Sequence, residues 1–267
     1  MAVRKDRGRI CCMPEPRPGG GDFNTPSPAR VYDYVLGGSD HYAADRQMAE
    51  GVLRDWPALA TLAPSNRAWI LRVVRILTEA GIDQFLDVGS GLPTAEAVHE
   101  VAQRINPDSR VVYVDNDPIV ESHRRALLAE NDLTAYVHAP AQNANTVLRA
   151  AEQTLDPRQP VAVLMSAVLH YVPEPPAEVV APYVRWLAPG SYLAISHVAI
   201  EGSDPQMLSR IARVFPQQTV RHRAEIEAAF AGLELLEPGL VDVERWRPDT
   251  EVSLTPQRLL AGVGKVT

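Results

Sequence analysis

The sequence predicts an α/β fold: a mostly parallel sheet with an antiparallel edge strand and helices on both faces. Three observations predict it. Short apolar stretches of strand character alternate with amphipathic stretches of helical period. The first of these strands runs into a glycine turn, Asp87-Val88-Gly89-Ser90-Gly91. The second, "RVVYVD", ends on the acid Asp115. Ligands of open parallel sheets bind beyond the carboxyl ends of the strands, where strand order reverses, so the turn and the acid belong to one site.

Residues 1–27 carry Pro14, Pro16, Pro18, Gly19 to Gly21 and Pro26 with almost no aliphatic periodicity. Such a stretch buries too little surface to offset its ordering entropy, and a disordered tail is expected. Cys11 and Cys12 lie in it; two adjacent thiols make neither a disulfide framework nor a metal site. Residues 28–80 are expected to form a mostly helical N-terminal segment. The segment from Pro28 mixes aromatic and charged residues around Gly37-Gly38, then turns helical. Asn66 is expected to cap a helix with Trp69, Ile70, Val73, Val74 and Leu77 on one face and Gly81 as its stop.

Residues 81–267 form the expected ligand-binding domain. "QFLDV" reads as a buried strand, followed by a helix from Pro93 to Ile105 with Ala97, Val98, Val101 and Ala102 on its stripe. "RVVYVD" is the second strand, and a helix opens at Pro118. "TAYVHA" is a third strand, 143–153 a helix, "VAVLMSAVL" a fourth strand, 176–187 a helix and "SYLAISHVAI" a fifth strand. Strands this apolar imply a sheet covered on both faces. Beyond Gly202 the pattern weakens; a helix near 222–230 and strands near 233–236 and 258–264 suit an antiparallel edge.

Composition narrows the function class. A chain of 267 residues, 46% hydrophobic and 22% charged, is an ordinary globular protein. Its formal charge of −7 disfavours nucleic acid, and the basic start (Arg4, Lys5, Arg7, Arg9) is too short to change that. No apolar run approaches the roughly 20 residues that span a bilayer, and no apolar segment follows the basic start as in a secretory signal. Neither a membrane nor a nucleic acid is expected as partner, and the cytoplasm is the expected compartment.

The glycine turn carries the ligand chemistry. Gly89 permits a tight turn, and Gly91 lets a ligand approach the backbone because no Cβ intervenes. Asp115 can accept both hydroxyl protons of a ribose, with Asn116 and Asp117 directly after it. A dinucleotide site wants a third glycine for close helix packing near the pyrophosphate. Thr94 stands there instead, and Asp87 adds negative charge beside the turn. Both features count against a nicotinamide-dependent oxidoreductase. They suit S-adenosylmethionine, which has no phosphate and carries a cationic ammonium and sulfonium, with Asp87 facing the ammonium. The plain alternative is an unliganded structural turn.

The stretches "PARVYDYVLGGSDHYAADR", "NRAWILRVVR", "GIDQFLDVGSGLPT", "RVVYVDNDPIV", "LMSAVLHYVPE" and "PGSYLAISH" cover roughly residues 27 to 200, with "PGL" at Pro238 to Leu240 and Trp246 beyond. Together they resemble a family of actinobacterial S-adenosylmethionine-dependent methyltransferases, formerly a domain of unknown function. The resemblance implies a Rossmann-like class I methyltransferase sheet with residues 28–80 as an added N-terminal helical cap. It implies little about the acceptor. One departure stands out. Members carry an acidic D-L-R-D-P-like stretch after the third strand, where an acid accepts the adenine amino group. Here the segment reads Ala139-Pro140-Ala141-Gln142-Asn143, with Pro140 in place of the first acid. Gln142 or Asn143 can supply an amide oxygen instead; the alternative is weakened adenine binding.

Methyl transfer disperses charge rather than creating it, so positioning and water exclusion supply much of the rate. A general base is needed only when the acceptor is protonated. His170 and Tyr171 follow the fourth strand, His170 as base or structural residue and Tyr171 as substrate wall. Ser166 is expected to line the cofactor site through its backbone. In the cap, Gly37-Gly38 suggests a lid edge, with Tyr32, Tyr34, Asp40, His41, Asp45 and Arg46 as candidates, Tyr34 and His41 foremost. Each doubles as a cap, a salt bridge or a packed ring. Arg67 can pair with a ligand carboxylate, while His197 and His222 read as structural. The expected function is methylation of a small molecule. The altered third-strand loop motivates an alternative, a sensor or interaction protein that binds the cofactor without turnover. Acceptor identity and oligomeric state are not written in the sequence.

Overall fold

A computed structural model describes residues 23–93, 96–128, 131–201, 205–214, 218–250 and 259–267. The expectations placed on Cys11, Cys12, the tail through residue 22 and Thr94 lie outside these residues.

Three helices come first: α1 (Pro28–Val35), α2 (Ala43–Asp55) and α3 (Leu59–Glu79). Ser27 caps α1 by accepting from the Arg30 N–H at 3.2 Å, and Pro28 takes the first position, where no donor is required. At the start of α2, Asp45 Oδ2 accepts from the Tyr42 N–H at 2.8 Å. The expected cap at Asn66 is corrected: α3 opens at Leu59, and Asn66 lies buried inside it. Pro64 mimics a helix start, but in the second turn its missing N–H removes only one backbone bond, and the helix runs through. Gly81 (φ +96°) ends α3 as expected.

The alternating part follows: β1 (Gln84–Val88), α4 (Val98–Ile105), β2 (Arg110–Asp115), α5 (Pro118–Leu128), β3 (Thr134–His138), α6 (Ala144–Ala151), β4 (Ala162–Ser166), a 3-10 turn (Leu169–Tyr171), α7 (Pro176–Trp186) and β5 (Tyr192–Val198). Two boundaries differ from expectation. α4 opens at Val98 rather than Pro93, because Glu100 Oε2 takes the Ala97 N–H at 2.7 Å and sets the first turn there. β4 stops at Ser166, because Ala167 turns to a left-handed φ of +54° and sends the next apolar residues into the 3-10 turn.

The closing part holds α8 (Pro205–Val214), α9 (Arg223–Ala228), β6 (Glu234–Leu235), β7 (Val241–Asp242) and β8 (Leu259–Lys265). Among the described residues the sheet has eight strands in the order β3-β2-β1-β4-β5-β8-β6, with β7 also on β8. β1 to β5 pair in parallel; β8 runs antiparallel to β5, and β6 and β7 antiparallel to β8. The antiparallel edge was expected; α8 and β7 were not.

Alternation along each strand divides the core. Phe85, Tyr113 and Leu164 pack with Trp69, Val73 and Val101 of α3 and α4. Leu86, Val112 and Met165 pack with Val147, Val179 and Tyr183 of α6 and α7. Strand order reverses between β1 and β4. The carboxyl ends beside that reversal carry Gly89, Asp115 and Ser166, which places the site. No described helix is long and apolar enough to cross a membrane.

Candidate functional site

The turn after β1 is made of two glycines with different constraints. Gly89 (φ +75°) packs so closely that a Cβ there would lie 2.3 Å from Val168 Cγ2. Gly91 (φ +60°) has open space where its Cβ would stand. The first glycine is needed by the protein, the second leaves backbone bare toward the cavity. Gly89 and Ser90 donate to the Val114 carbonyl at 2.8 and 3.0 Å, which ties the turn to β2.

Asp115 completes this end. Its Oδ2 accepts from the Gly91 N–H at 2.8 Å and its Oδ1 from the Asp117 N–H at 3.0 Å. Burial pushes its pKa above the usual carboxylate value, and these backbone donors oppose the shift. The Asn116 N–H also donates to the carboxylate, which leaves acceptor capacity for a ribose hydroxyl.

A cavity of about 580 Å³ opens beneath the cap. It brings together most of the sequence-predicted residues: Asp87, Gly89, Ser90, Gly91, Asp115 and Asn116 from the ends of β1 and β2, then Gln142, Ser166, His170 and Tyr171 from later segments. Tyr32 and Arg67 reach it from the cap. Asn143 does not, since its side chain caps α6 on the Thr146 N–H. Tyr34 and His41 also stand outside the lining. They meet edge to face at 5.0 Å, with Tyr34 Oη toward Glu50 at 3.4 Å and His41 Nδ1 on Asp33 at 2.9 Å. Asp40 lies 3.4 Å from His123, and Arg46 is exposed. Asp45 is fully buried against Arg30 at 3.1 Å, a bond that braces α1 on α2. His197 lies outside the lining with Nδ1 on the Val198 carbonyl at 2.8 Å, and His222 pairs with Glu201 at 3.0 Å.

Asn66 and Ser196 are the residues sequence reasoning missed. Asn66 Nδ2 donates to Tyr32 Oη at 3.1 Å and to Ser166 Oγ at 3.0 Å. Ser196 Oγ donates to Asn66 Oδ1 at 2.7 Å and accepts from the Ala167 N–H at 2.9 Å. Tyr32 in turn donates to the Ala63 carbonyl at 3.0 Å. This network joins the cap to the ends of β4 and β5 and holds Ala167 in its left-handed conformation, a strain of roughly 1–3 kcal/mol. The signal available was a polar residue on the apolar stripe of α3, three and four positions before Trp69 and Ile70.

His170 is only 4% exposed, and its Nδ1 has no hydrogen-bond partner among the described residues. Burial, then the neighbouring His197, pulls its pKa well below the ordinary 6.5, so the ring is neutral near pH 7. Tyr171 packs against it with ring centroids 4.6 Å apart, and burial raises the phenol pKa. The Thr219 N–H donates to the His170 carbonyl at 2.6 Å, which brings Gln218 to the cavity. The Gln218 Oε1 is buried there without a partner among the described residues. No cluster of His, Cys, Asp and Glu suited to a metal occurs among the described residues.

Comparison with known proteins bears on this arrangement. A family described as S-adenosyl methyltransferase matches residues 18–267. A candidate methyltransferase from Thermobifida fusca is 42% identical, with a TM-score of 0.87 over 92% of this chain and 96% of that one. A DUF574 family protein from Streptomyces avermitilis is 39% identical, with a TM-score of 0.87 over 92% and 99%. An O-methyltransferase family protein from Burkholderia thailandensis shares the fold alone, at 15% identity and a TM-score of 0.50 over 87% and 66%. No curated protein matches the sequence. Nothing in these findings supports the alternative of a cofactor binder without turnover.

Proposed function

The chain belongs to the S-adenosyl methyltransferase family, and from that premise we propose that its cavity binds S-adenosylmethionine along the glycine turn and presents the methyl to a small-molecule acceptor beside His170. One observation carries the reading: a single cavity joins Gly91, Asp115 and His170.

The residues fit this cofactor. Bare backbone at Gly91 admits it, and Asp87 and Asp115 suit a ligand with cationic ends and no phosphate. Asp115 accepts from the ribose hydroxyls, Asp87 faces the ammonium and Arg67 pairs with the carboxylate. Gln142, which lines the cavity while Asn143 caps α6, accepts from the adenine amino group. When bound, the cofactor supplies a methyl activated by its sulfonium. The protein's share is to hold the acceptor close and dry, and to take its proton where it has one. His170 is the group placed for that. Residues 28–80 close the cavity, with α1 supplying Tyr32 and α3 supplying Asn66 and Arg67.

Titration calorimetry tests the reading. Saturable binding of S-adenosylmethionine and of S-adenosylhomocysteine is expected; no heat from either at millimolar concentration would remove it.

A further inference from the structure

We propose that the Ser166 hydroxyl donates a hydrogen bond to the methyl acceptor, and that the acceptor is an uncharged, apolar-bodied molecule with a neutral lone-pair atom to receive it. The proposal rests on the cofactor placement above.

A count of protons singles this hydroxyl out. Asn66 commits both Nδ2 protons, one to Tyr32 Oη at 3.1 Å and one to Ser166 Oγ at 3.0 Å. The Tyr32 proton goes to the Ala63 carbonyl at 3.0 Å, and the Ser196 proton to Asn66 Oδ1 at 2.7 Å. Ser196 Oγ also accepts the Ala167 N–H at 2.9 Å. Ser166 therefore receives from Asn66 and keeps its own proton. The acceptor nearest to it among the described residues is Ser196 Oγ at 3.5 Å, beyond the roughly 2.5–3.0 Å of a good O–H···O bond. Asn66 and Ser196 are buried, whereas Ser166 is half-buried and lines the cavity. Asn66 thus acts as a positioning residue: it holds the Ser166 oxygen as an acceptor and leaves the proton for a ligand.

Strand order decides which ligand meets that proton. The sheet runs β3-β2-β1-β4-β5-β8. The cofactor occupies the first three strand ends, with adenine at Gln142 after β3, ribose at Asp115 on β2 and ammonium at Asp87 on β1. Leu164 pairs with Asp87, which sets Ser166 level with Gly89 across the reversal, one strand spacing of about 4.8 Å away. The sulfonium that faces this end is cationic and accepts no hydrogen bond, so the Ser166 proton belongs to the acceptor. Beyond it the walls are apolar: Val198 and Leu259 at the ends of β5 and β8, and Leu59, Leu62 and Ile70 of α3. The lining carboxylates among the described residues, Asp87, Asp115 and Asp117, all stand at the ends of β1 and β2, so a protonated amine in this chamber meets no counter-charge. A carboxylate fares no better. Arg30 is engaged by Asp45 at 3.1 Å, and Arg67 donates to the Glu96 carbonyl and is assigned to the cofactor. A neutral lone pair satisfies the hydroxyl without the cost of burying a charge.

Four probes of one ring size test this: cyclohexanone, methylenecyclohexane, cyclohexylammonium and cyclohexanecarboxylate, each titrated into protein saturated with S-adenosylhomocysteine. Both neutral probes should bind more tightly than either charged one. Ser166→Ala, checked as folded by its saturable binding of S-adenosylhomocysteine, should weaken cyclohexanone about threefold or more and leave methylenecyclohexane within twofold. In the wild-type protein, which needs no variant to fold, the carbonyl stretch of bound cyclohexanone should lie below its value in hexane. Tighter binding of a charged probe overturns the proposal, as does an equal effect of Ser166→Ala on the two neutral probes. A bound carbonyl stretch at the hexane value overturns it too. Binding of S-adenosylhomocysteine with no binding of either neutral probe overturns the acceptor class alone. Failure of S-adenosylhomocysteine to bind the wild-type protein overturns the cofactor placement, and the role of Ser166 falls with it.

Discussion

At the glycine turn the cavity is built from backbone. Two left-handed glycines, their bonds to β2 and the N–H groups that hold Asp115 all come from strand ends that neighbour one another in the sheet. Across the cavity, beneath the cap, the same space is built from side chains of distant origin: Asn66 meets Ser166 and Ser196, and Tyr32 meets Asn66. The difference divides the work. The backbone-built end has no room for a side chain at Gly89 and keeps the backbone bare at Gly91. A side-chain end can change what it accepts while the first is left intact.

The comparison can be broken at its first end with one methyl group. Gly89→Ala places a Cβ against Val168 at a left-handed φ. It should cost about 2–5 kcal/mol in denaturant unfolding, from overpacking and backbone strain together. Gly91→Ala meets only open space and carries the left-handed strain alone, about 1–2 kcal/mol, so it should lose less stability than Gly89→Ala yet lose cofactor affinity. Equal stability losses at both glycines would erase the distinction.

At the second end, Asn66→Leu removes three hydrogen bonds and leaves Ser166 and Ser196 without that partner. A loss of about 2–3 kcal/mol is expected by thermal or urea unfolding, with S-adenosylhomocysteine affinity little changed. A large affinity loss would mean that the two ends are one unit. Asp115→Ala should do the reverse, lowering cofactor affinity by about 1–3 kcal/mol in calorimetry; unchanged affinity would misplace the ribose.

The smallest effect is a pH dependence. Burial drives His197 down to about 4, and burial followed by His197 drives His170 well below 6.5. Both folded values lie below the unfolded value near 6.5, so the unfolded chain binds protons first. The stability these rings provide is complete above that pH and is lost as pH falls toward 4. Asp115, raised by burial, works in the opposite sense as it protonates. A net loss of about 1 kcal/mol is expected between pH 7 and pH 6. A flat unfolding profile over that interval would show that the two histidines are hydrated.

The same division explains what the sequence could reveal. β1 and β2 were legible to the residue, because an apolar run bounded by a glycine turn or an acid carries its own limits. Asp87, Gly91 and Asp115 were legible because one short motif and one strand end contain them. Asn66 was misread as a cap because Pro64 and Ser65 imitate a helix start, and its partners Ser166 and Ser196 become neighbours only when α3 crosses the strand ends. Tyr34 and His41 drew attention by their chemistry, yet the turn at Gly37 directs them to each other and to Asp33. α8 and β7 escaped because the one lies where the hydrophobic pattern weakens and the other is only two residues long.

A crystal structure of the complex with S-adenosylhomocysteine tests the central claim most directly. The account predicts ribose hydroxyls on the Asp115 carboxylate, the ligand's backbone contacts at Gly91, and unfilled space between its sulfur, His170 and Ile70. A ligand bound away from Asp115, or one that fills the space beside His170 with its own adenine, would contradict it.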